Sequence, residues 1–262
     1  MNFETIAFEI RGQTAYIALN RPASFNALNL TSGKELMSAA ISCDENWEIR
    51  AVVLTGTGKA FCAGGDLPYF AEQGAQLPVI LKEMATYCHA ATSRFMRMDK
   101  PLITAVNGAA AGIGMSLALA GDIILAGESA SFMAAYTAAG LSPDGAMTYL
   151  LPRMIGLSRA RELILTNRRL KAGEALDWGL INKVVSDEVL LSEAELLATS
   201  LENGPTRSYG MVKKLLNDCF SATPETQMEQ EARGITEMAR TRDGLEGINA
   251  FVGKQPPKFK GC

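Results

Sequence analysis

Two short glycine-rich segments constrain the fold of this chain most, because each stands between a predicted strand and a predicted helix. Residues 60–67 read AFCAGGDL and follow an apolar run at 51–54, and residues 107–114 read NGAAAGIG and follow an apolar run at 102–106. A glycine turn that joins a strand to a helix leaves backbone N–H groups without partners. Two such groups that converge on one carbonyl oxygen form an oxyanion hole. The sequence therefore predicts a site that stabilises an enolate.

The surrounding pattern predicts an α/β protein. Residues 3–19 predict a β-hairpin with its turn at 11–13. Near-continuous apolar strands separated by helices are typical of a parallel sheet covered on both faces. We interpret residues 67–77 as a polar, flexible connection and residues 224–251 as one helix. The other predicted helices cover residues 31–44, 78–98, 112–120, 158–166, 172–178, 188–202 and 206–219, and the later strands cover residues 122–126, 131–133 and 180–185.

The length and hydrophobicity suit one well-buried core with a helical appendage. The chain has 262 residues, of which 48% are hydrophobic. After Pro152 the pattern becomes mostly helical. We therefore divide the chain into an α/β core at 1–190 and a C-terminal helical region at 191–262, to which the family resemblance described below assigns oligomerisation.

Composition excludes several classes of function. The net charge of −3 leaves no basic footprint for nucleic acid, and the single histidine, His89, excludes a histidine-rich metal site. The five cysteines contain no CxxC pair, which predicts reduced thiols in a cytoplasmic protein. The longest apolar stretch, residues 102–126, is interrupted by glycines, Asn107 and Asp122, so we expect no membrane span. The N-terminus alternates like a strand, so we expect no signal peptide.

Together these motifs resemble the enoyl-CoA hydratase/isomerase (crotonase) superfamily along the whole chain. The resemblance implies a crotonase (ClpP-like) spiral of ββα units with a C-terminal trimerisation region. It also implies a coenzyme A thioester substrate, no cofactor beyond its CoA moiety, and a homotrimer or homohexamer. The motifs that carry it are Asn20-Arg21-Pro22, Asn26-Ala27-Leu28, residues 61–67, residues 101–114, residues 173–180, and the tail with residues 246–251 and Pro257-Lys258-Phe259.

The resemblance also assigns candidate binding residues. It places the two oxyanion donors on the backbone N–H groups of Gly65 and Ile113. It implies no metal ligands. Phe251 and Lys254 match positions that reach the adenine and 3′-phosphate, commonly from a neighbouring subunit. The remaining candidates for CoA binding are Ala23, Phe25, Ala27, Ala63, Gly65 and Asp66.

The reaction depends on acid/base residues, and here the chain departs from the hydratases. Their two glutamates are replaced by Ser116 and Tyr136, which cannot activate a water as two carboxylates do. Asp144, in the segment 141–145, resembles the aspartate of members that shift double bonds or rearrange rings, including epoxyphenylacetyl-CoA isomerases. We therefore expect an isomerase in which Asp144 moves a proton between two carbons. Alternatively, Asp144 only caps a helix that begins near Gly145.

Two other activities stay open. In 4-chlorobenzoyl-CoA dehalogenases an aspartate at the Asp144 position is a nucleophile, assisted by a histidine that His89 matches, but their tryptophan is Tyr136 here. His89 also lies at helical spacing, where it can simply pack or hydrogen-bond. A conventional hydratase is the other alternative. Some relatives bind RNA, but the acidic balance argues against that role.

Overall fold

The computed structural model describes residues 3–262, which fold into ten strands and eleven α-helices. The strands are β1 Ile6–Arg11, β2 Thr14–Leu19, β3 Ala51–Gly56, β4 Ala60–Cys62, β5 Leu102–Val106, β6 Ala109–Ala111, β7 Ile123–Gly127, β8 Ser131–Met133, β9 Leu170–Lys171 and β10 Lys183–Val185. The helices are α1 Leu30–Glu45, α2 Leu67–Glu72, α3 Leu77–Arg97, α4 Ile113–Leu119, α5 Met147–Ile155, α6 Leu157–Thr166, α7 Ala172–Asp177, α8 Leu190–Glu202, α9 Thr206–Asp218, α10 Pro224–Ala239 and α11 Arg242–Val252.

The strands form one large sheet of six strands and one small sheet of four strands. The large sheet has the order β1-β2-β3-β5-β7-β10, in which β1 and β2 form the predicted antiparallel hairpin and the other pairs are parallel. The small sheet has the order β4-β6-β8-β9. Three times, a long strand of the large sheet is followed by a short strand of the small sheet and then by a helix. This repeat is the predicted spiral of ββα units.

Both faces of the large sheet are covered, as the apolar strands predict. On one face Val53, Ile103 and Leu125 pack against Leu190 and Ala194 of α8. The opposite face contributes to the main core, which includes the largest buried side chains. In residues 3–262 no helix is long and apolar enough to cross a membrane.

The helical region after residue 190 is anchored to the core by a buried lysine. The Lys213 ammonium of α9 lies 2.7 Å from the Asp122 carboxylate and donates to the carbonyls of Phe95 and Lys100 at 2.8 and 3.0 Å. Burial lowers the pKa of Lys213 and raises that of Asp122. Such a pair is costly to break once it is buried, so it fixes α9 beside α3 and the sheet. The boundary at 190/191 stays a prediction.

Several predicted boundaries are wrong. The connection at 67–77 is helical, since Asp66 caps α2 by accepting from the Tyr69 amide at 3.2 Å. The single helix predicted at 224–251 is two helices, because Thr241 caps a new one at the Gly244 amide. The predicted strand at 180–185 is shorter, and a helix near Gly145, considered only as an alternative, is present as α5.

Candidate active site

The first glycine turn connects β4 to α2 and admits no larger residue. Gly64 has φ +104°, which favours glycine. A Cβ on Gly65 would lie 2.5 Å from the Phe70 ring. Among the described residues, no carbonyl or side chain accepts a hydrogen bond from the Gly65 amide. That amide is therefore available to a ligand.

The second glycine turn connects β6 to α4 and lies directly beside the first. Gly112 has φ +52°, and its Cβ position is 3.6 Å from the Gly64 Cα. Ile113 begins α4, and its amide also has no acceptor within residues 3–262. α4 packs tightly on β4, since a Cβ on Gly114 would lie 2.6 Å from the Cys62 Cβ. The two turns are thereby held together by backbone packing.

Both predicted oxyanion donors line one cavity of about 270 Å³. Its walls are mainly apolar, and its ionisable side chains are Asp144 and Tyr136. Leu67 and Phe70 of this wall lie on α2, in the segment where the sequence predicted a flexible connection and not a helix. Asp66 at the N-cap of α2, followed by Pro68, was the signal that could have revealed it. The apolar wall consists of Leu67, Phe70, Leu81, Met84, Ala85, Ala139 and Leu141.

Asp144 is held in this cavity through one of its two carboxylate oxygens. The Tyr136 phenol donates to Oδ1 at 2.6 Å, a short charge-assisted bond. The other oxygen, Oδ2, lies 3.5 Å from the His89 Nε2. Helix α5 begins after Ala146 without a side-chain cap. The alternative that Asp144 is merely a helix cap is therefore wrong.

Ser116 and Tyr136, the two positions where hydratases carry glutamates, together support Asp144. The buried Ser116 hydroxyl donates to the Asp144 carbonyl at 2.9 Å and lies 3.2 Å from the phenol oxygen. Burial, together with the negative charge of Asp144, raises the pKa of Tyr136. The phenol therefore stays protonated and remains a hydrogen-bond donor.

His89 reaches the same loop from α3 and does more than pack on its helix. The Gly145 amide donates to Nε2 at 3.0 Å. Nε2 is the acceptor in this bond, so its lone pair is directed at the Gly145 amide. Gly145 itself has φ +61°, and a Cβ there would lie 2.8 Å from the Ser116 Cβ. Thus a glycine is required where the Asp144 loop crosses α4.

The predicted CoA-binding segments at 23–27 and 63–66 lie side by side. The Ala63 amide donates to the Phe25 carbonyl at 3.0 Å. Asp66 is buried and paired with Arg21 at 2.8 Å, so its carboxylate already has a structural partner. Phe25 is 59% exposed and has φ +50°. Contact of Ala23, Phe25, Ala27, Ala63 and Asp66 with CoA stays a prediction.

The two C-terminal candidates do not line the cavity of their own chain. Phe251, near the end of α11, is 86% exposed, and Lys254 follows that helix at φ +53°. Their contact with substrate in a neighbouring subunit stays a prediction. Within residues 3–262, no three His, Cys, Asp or Glu side chains are grouped to hold a metal ion.

The sequence profile of the enoyl-CoA hydratase/isomerase family matches residues 9–262. A probable enoyl-CoA hydratase of Rhodobacter capsulatus is 39% identical over 261 residues, which cover 100% of both chains. The 1,2-epoxyphenylacetyl-CoA isomerase of Escherichia coli is 37% identical over 246 residues, 94% of each chain. The 4-chlorobenzoyl coenzyme A dehalogenase-2 of an Arthrobacter species is 34% identical over 233 residues, 88% of this chain and 84% of that one.

A solved structure gives the same fold. A putative enoyl-CoA hydratase from Streptomyces coelicolor superposes with a TM-score of 0.93 at 30% identity, covering 100% of this chain and 96% of the other. This likeness confirms the predicted fold class. The relatives bear three different reaction names, so similarity alone leaves the reaction open.

Proposed function

The chain belongs to the enoyl-CoA hydratase/isomerase family, and within it we propose an isomerase that shifts a double bond or rearranges an enoyl-CoA. The observation that carries this proposal is the acid/base content of the cavity. Asp144 is the one carboxylate among the residues that line it beside the Gly65 and Ile113 amides. One carboxylate suffices to move a proton between two carbons of the same substrate.

In the proposed reaction the thioester oxygen accepts hydrogen bonds from the Gly65 and Ile113 amides. The Oδ2 of Asp144 removes a proton from one carbon, and the electron pair moves into an enolate that these amides stabilise. Asp144 then returns a proton to a different carbon of the conjugated system. No water is added and no group leaves, so the mass of the substrate stays the same. The reaction needs no cofactor beyond the CoA moiety.

Hydration is disfavoured by the same residues. Ser116 donates to a backbone carbonyl, and Tyr136 is a phenol whose pKa is raised by burial. Neither group supplies the second carboxylate that would position and activate a water. The E. coli relative named as an isomerase is consistent with this choice, whereas the Rhodobacter relative keeps hydration as an alternative.

One observation favours a second candidate function. His89 lies 3.5 Å from Asp144, and an Arthrobacter relative is named a dehalogenase. In that reaction Asp144 would attack an aryl carbon, and halide would leave. Water would then hydrolyse the resulting ester. The position eight residues before Asp144, however, is Tyr136, and its phenol is committed to the Asp144 carboxylate.

The test is a screen of 3-enoyl, 2-enoyl and aromatic CoA thioesters followed by mass spectrometry. We expect a product of unchanged mass, and we expect Asp144→Asn to lower turnover by about 10²-fold or more with little change in affinity. Asp177→Asn, a substitution of an exposed aspartate on α7, is the matched control. A product heavier by one water would support hydration. Labelled oxygen from water in a carboxylate of the enzyme would support the dehalogenase.

We further propose that the enzyme is a cytoplasmic homotrimer or homohexamer. In the single chain Leu196 is 68% exposed and Leu216 is 63% exposed. A second subunit would remove this apolar surface from water. We expect sedimentation to give a trimer or hexamer and Leu216→Glu to dissociate it. A wild-type monomer at micromolar concentration would contradict this assembly.

A further inference from the structure

A second cavity lies behind the Asp144 loop and differs in character from the acyl cavity. It has a volume of about 420 Å³ and lies between α3, α5 and the end of α9. Its lining includes His89, Ser93, Arg97, Asn217 and Asp218. These side chains can hydrogen-bond to water, whereas the first cavity is mainly apolar. The second cavity therefore suits water better than the acyl cavity does, and we call it the polar cavity.

The linings of the two cavities adjoin at Asp144, Gly145 and His89. Asp144 lines the acyl cavity, whereas Gly145 and His89 line the polar one. Nε2 of His89 faces Oδ2 of Asp144 at 3.5 Å, and the His89 side chain is 50% exposed. The imidazole thus connects the acyl cavity with water on the other side. Contacts between catalytic groups that are long in a free enzyme often shorten into hydrogen bonds when substrate binds.

We propose that His89 relays protons between Asp144 and water in the polar cavity. This proposal rests on the isomerase function proposed above. After Asp144 has taken a proton from the substrate, Oδ2–H gives it to Nε2, and Nδ1–H gives a proton to water. The reverse steps return a solvent proton to Asp144 and then to carbon. The net reaction is still an isomerisation, but the proton delivered to the product comes partly from solvent.

The Gly145 amide sets the resting state of this relay. It donates to Nε2 at 3.0 Å, so in the resting arrangement the Nε2 lone pair is directed at the amide. When Nε2 takes a proton from Asp144, the amide loses this acceptor, and the bond re-forms when Nε2 has returned the proton. A bound acyl group would close the other route from Asp144 to solvent, through the acyl cavity.

The relay is tested by isomerisation of a 3-enoyl-CoA in deuterium oxide, with deuterium in the product measured by mass spectrometry at low conversion. We expect the wild-type product to contain deuterium. In His89→Gln, which retains an acceptor for the Gly145 amide, we expect deuterium incorporation per turnover to be about tenfold lower than in the wild type. His89→Ala should behave similarly and regain deuterium incorporation when imidazole is added, which a merely structural role would not explain.

Ser93→Ala is the matched control, because Ser93 lines the same cavity but does not contact Asp144. We expect it to incorporate deuterium like the wild type. Wild-type product without deuterium, or equal incorporation in wild type and His89→Gln, would overturn the relay. Failure of the wild type to isomerise any thioester, or full turnover in Asp144→Asn, would instead overturn the proposed function.

Discussion

Within one site, the two glycine turns are held by backbone packing, whereas the Asp144 loop is held by side-chain hydrogen bonds. The turns are built from backbone alone, and Gly64 and Gly112 lie against each other with no side chain between them. The Asp144 loop is held by side chains from three other places, namely Ser116, Tyr136 and His89. Donors made of backbone do not change when side chains change. In the proposed mechanism, therefore, the loop can vary the reaction while the turns preserve the enolate chemistry.

The largest loss of turnover is expected when a side chain is added to the first glycine turn. In Gly65→Ala the new Cβ would lie 2.5 Å from the Phe70 ring, which forces the ring or the amide to move. We expect turnover to fall by about 10²–10³-fold, as for loss of an oxyanion donor. Steady-state kinetics on a 3-enoyl-CoA measure this loss of turnover. Gly173→Ala is the control, since no atom lies within 4 Å of that Cβ position. Full activity in Gly65→Ala would contradict the role of the first turn.

A side chain in the loop should have a smaller effect on turnover. The Cβ of Gly145→Ala would collide with the Ile113 side chain and lie 2.8 Å from the Ser116 Cβ. We expect turnover to fall about 10-fold to 10²-fold, with a loss of stability of about 1–3 kcal/mol from strain and overpacking. Gly140→Ala is the control, because Gly140 also has a positive φ, +71°, but no atom lies within 4 Å of its Cβ position. Equal losses in the two variants would show that backbone strain, and not contact with the site, causes the effect.

Still smaller effects are expected from loss of the hydroxyl groups that hold the Asp144 loop. Tyr136→Phe removes one hydrogen bond to Oδ1, and we expect about a tenfold loss of turnover. Ser116→Ala, which loses a bond to a backbone carbonyl, should lose less. Because the pKa of Tyr136 is raised, its O–H persists as the pH rises past about 10, the ordinary pKa of tyrosine. An alkaline decline present in the wild type and absent in Tyr136→Phe would contradict this.

The difference between the glycine turns and the Asp144 loop also explains which parts of the site could be predicted from the sequence. The turns follow from local features, namely an apolar strand, glycines and a helix, and Gly65 and Ile113 do line one cavity. The meeting of His89 with Asp144 depends on how α3 crosses a loop 55 residues later in the chain, which helical periodicity cannot reveal. Helix α5 was predicted only in the alternative that Asp144 caps a helix near Gly145, because Pro152 lies inside α5 and Gly145 and Ala146, just before it, have positive φ. Leu67 and Phe70, which line the acyl cavity from α2, were missed along with that helix.

The most direct test of the central claim is a crystal structure with an acyl-CoA analogue that retains its carbonyl group but does not react. We predict the carbonyl oxygen at about 3 Å from both the Gly65 and the Ile113 nitrogen atoms. We also predict that Oδ2 of Asp144 faces the acyl carbons while Oδ1 keeps its bond to Tyr136. A carbonyl oxygen that reaches neither amide, or acyl carbons directed away from Asp144, would contradict the division of labour between the turns and the loop.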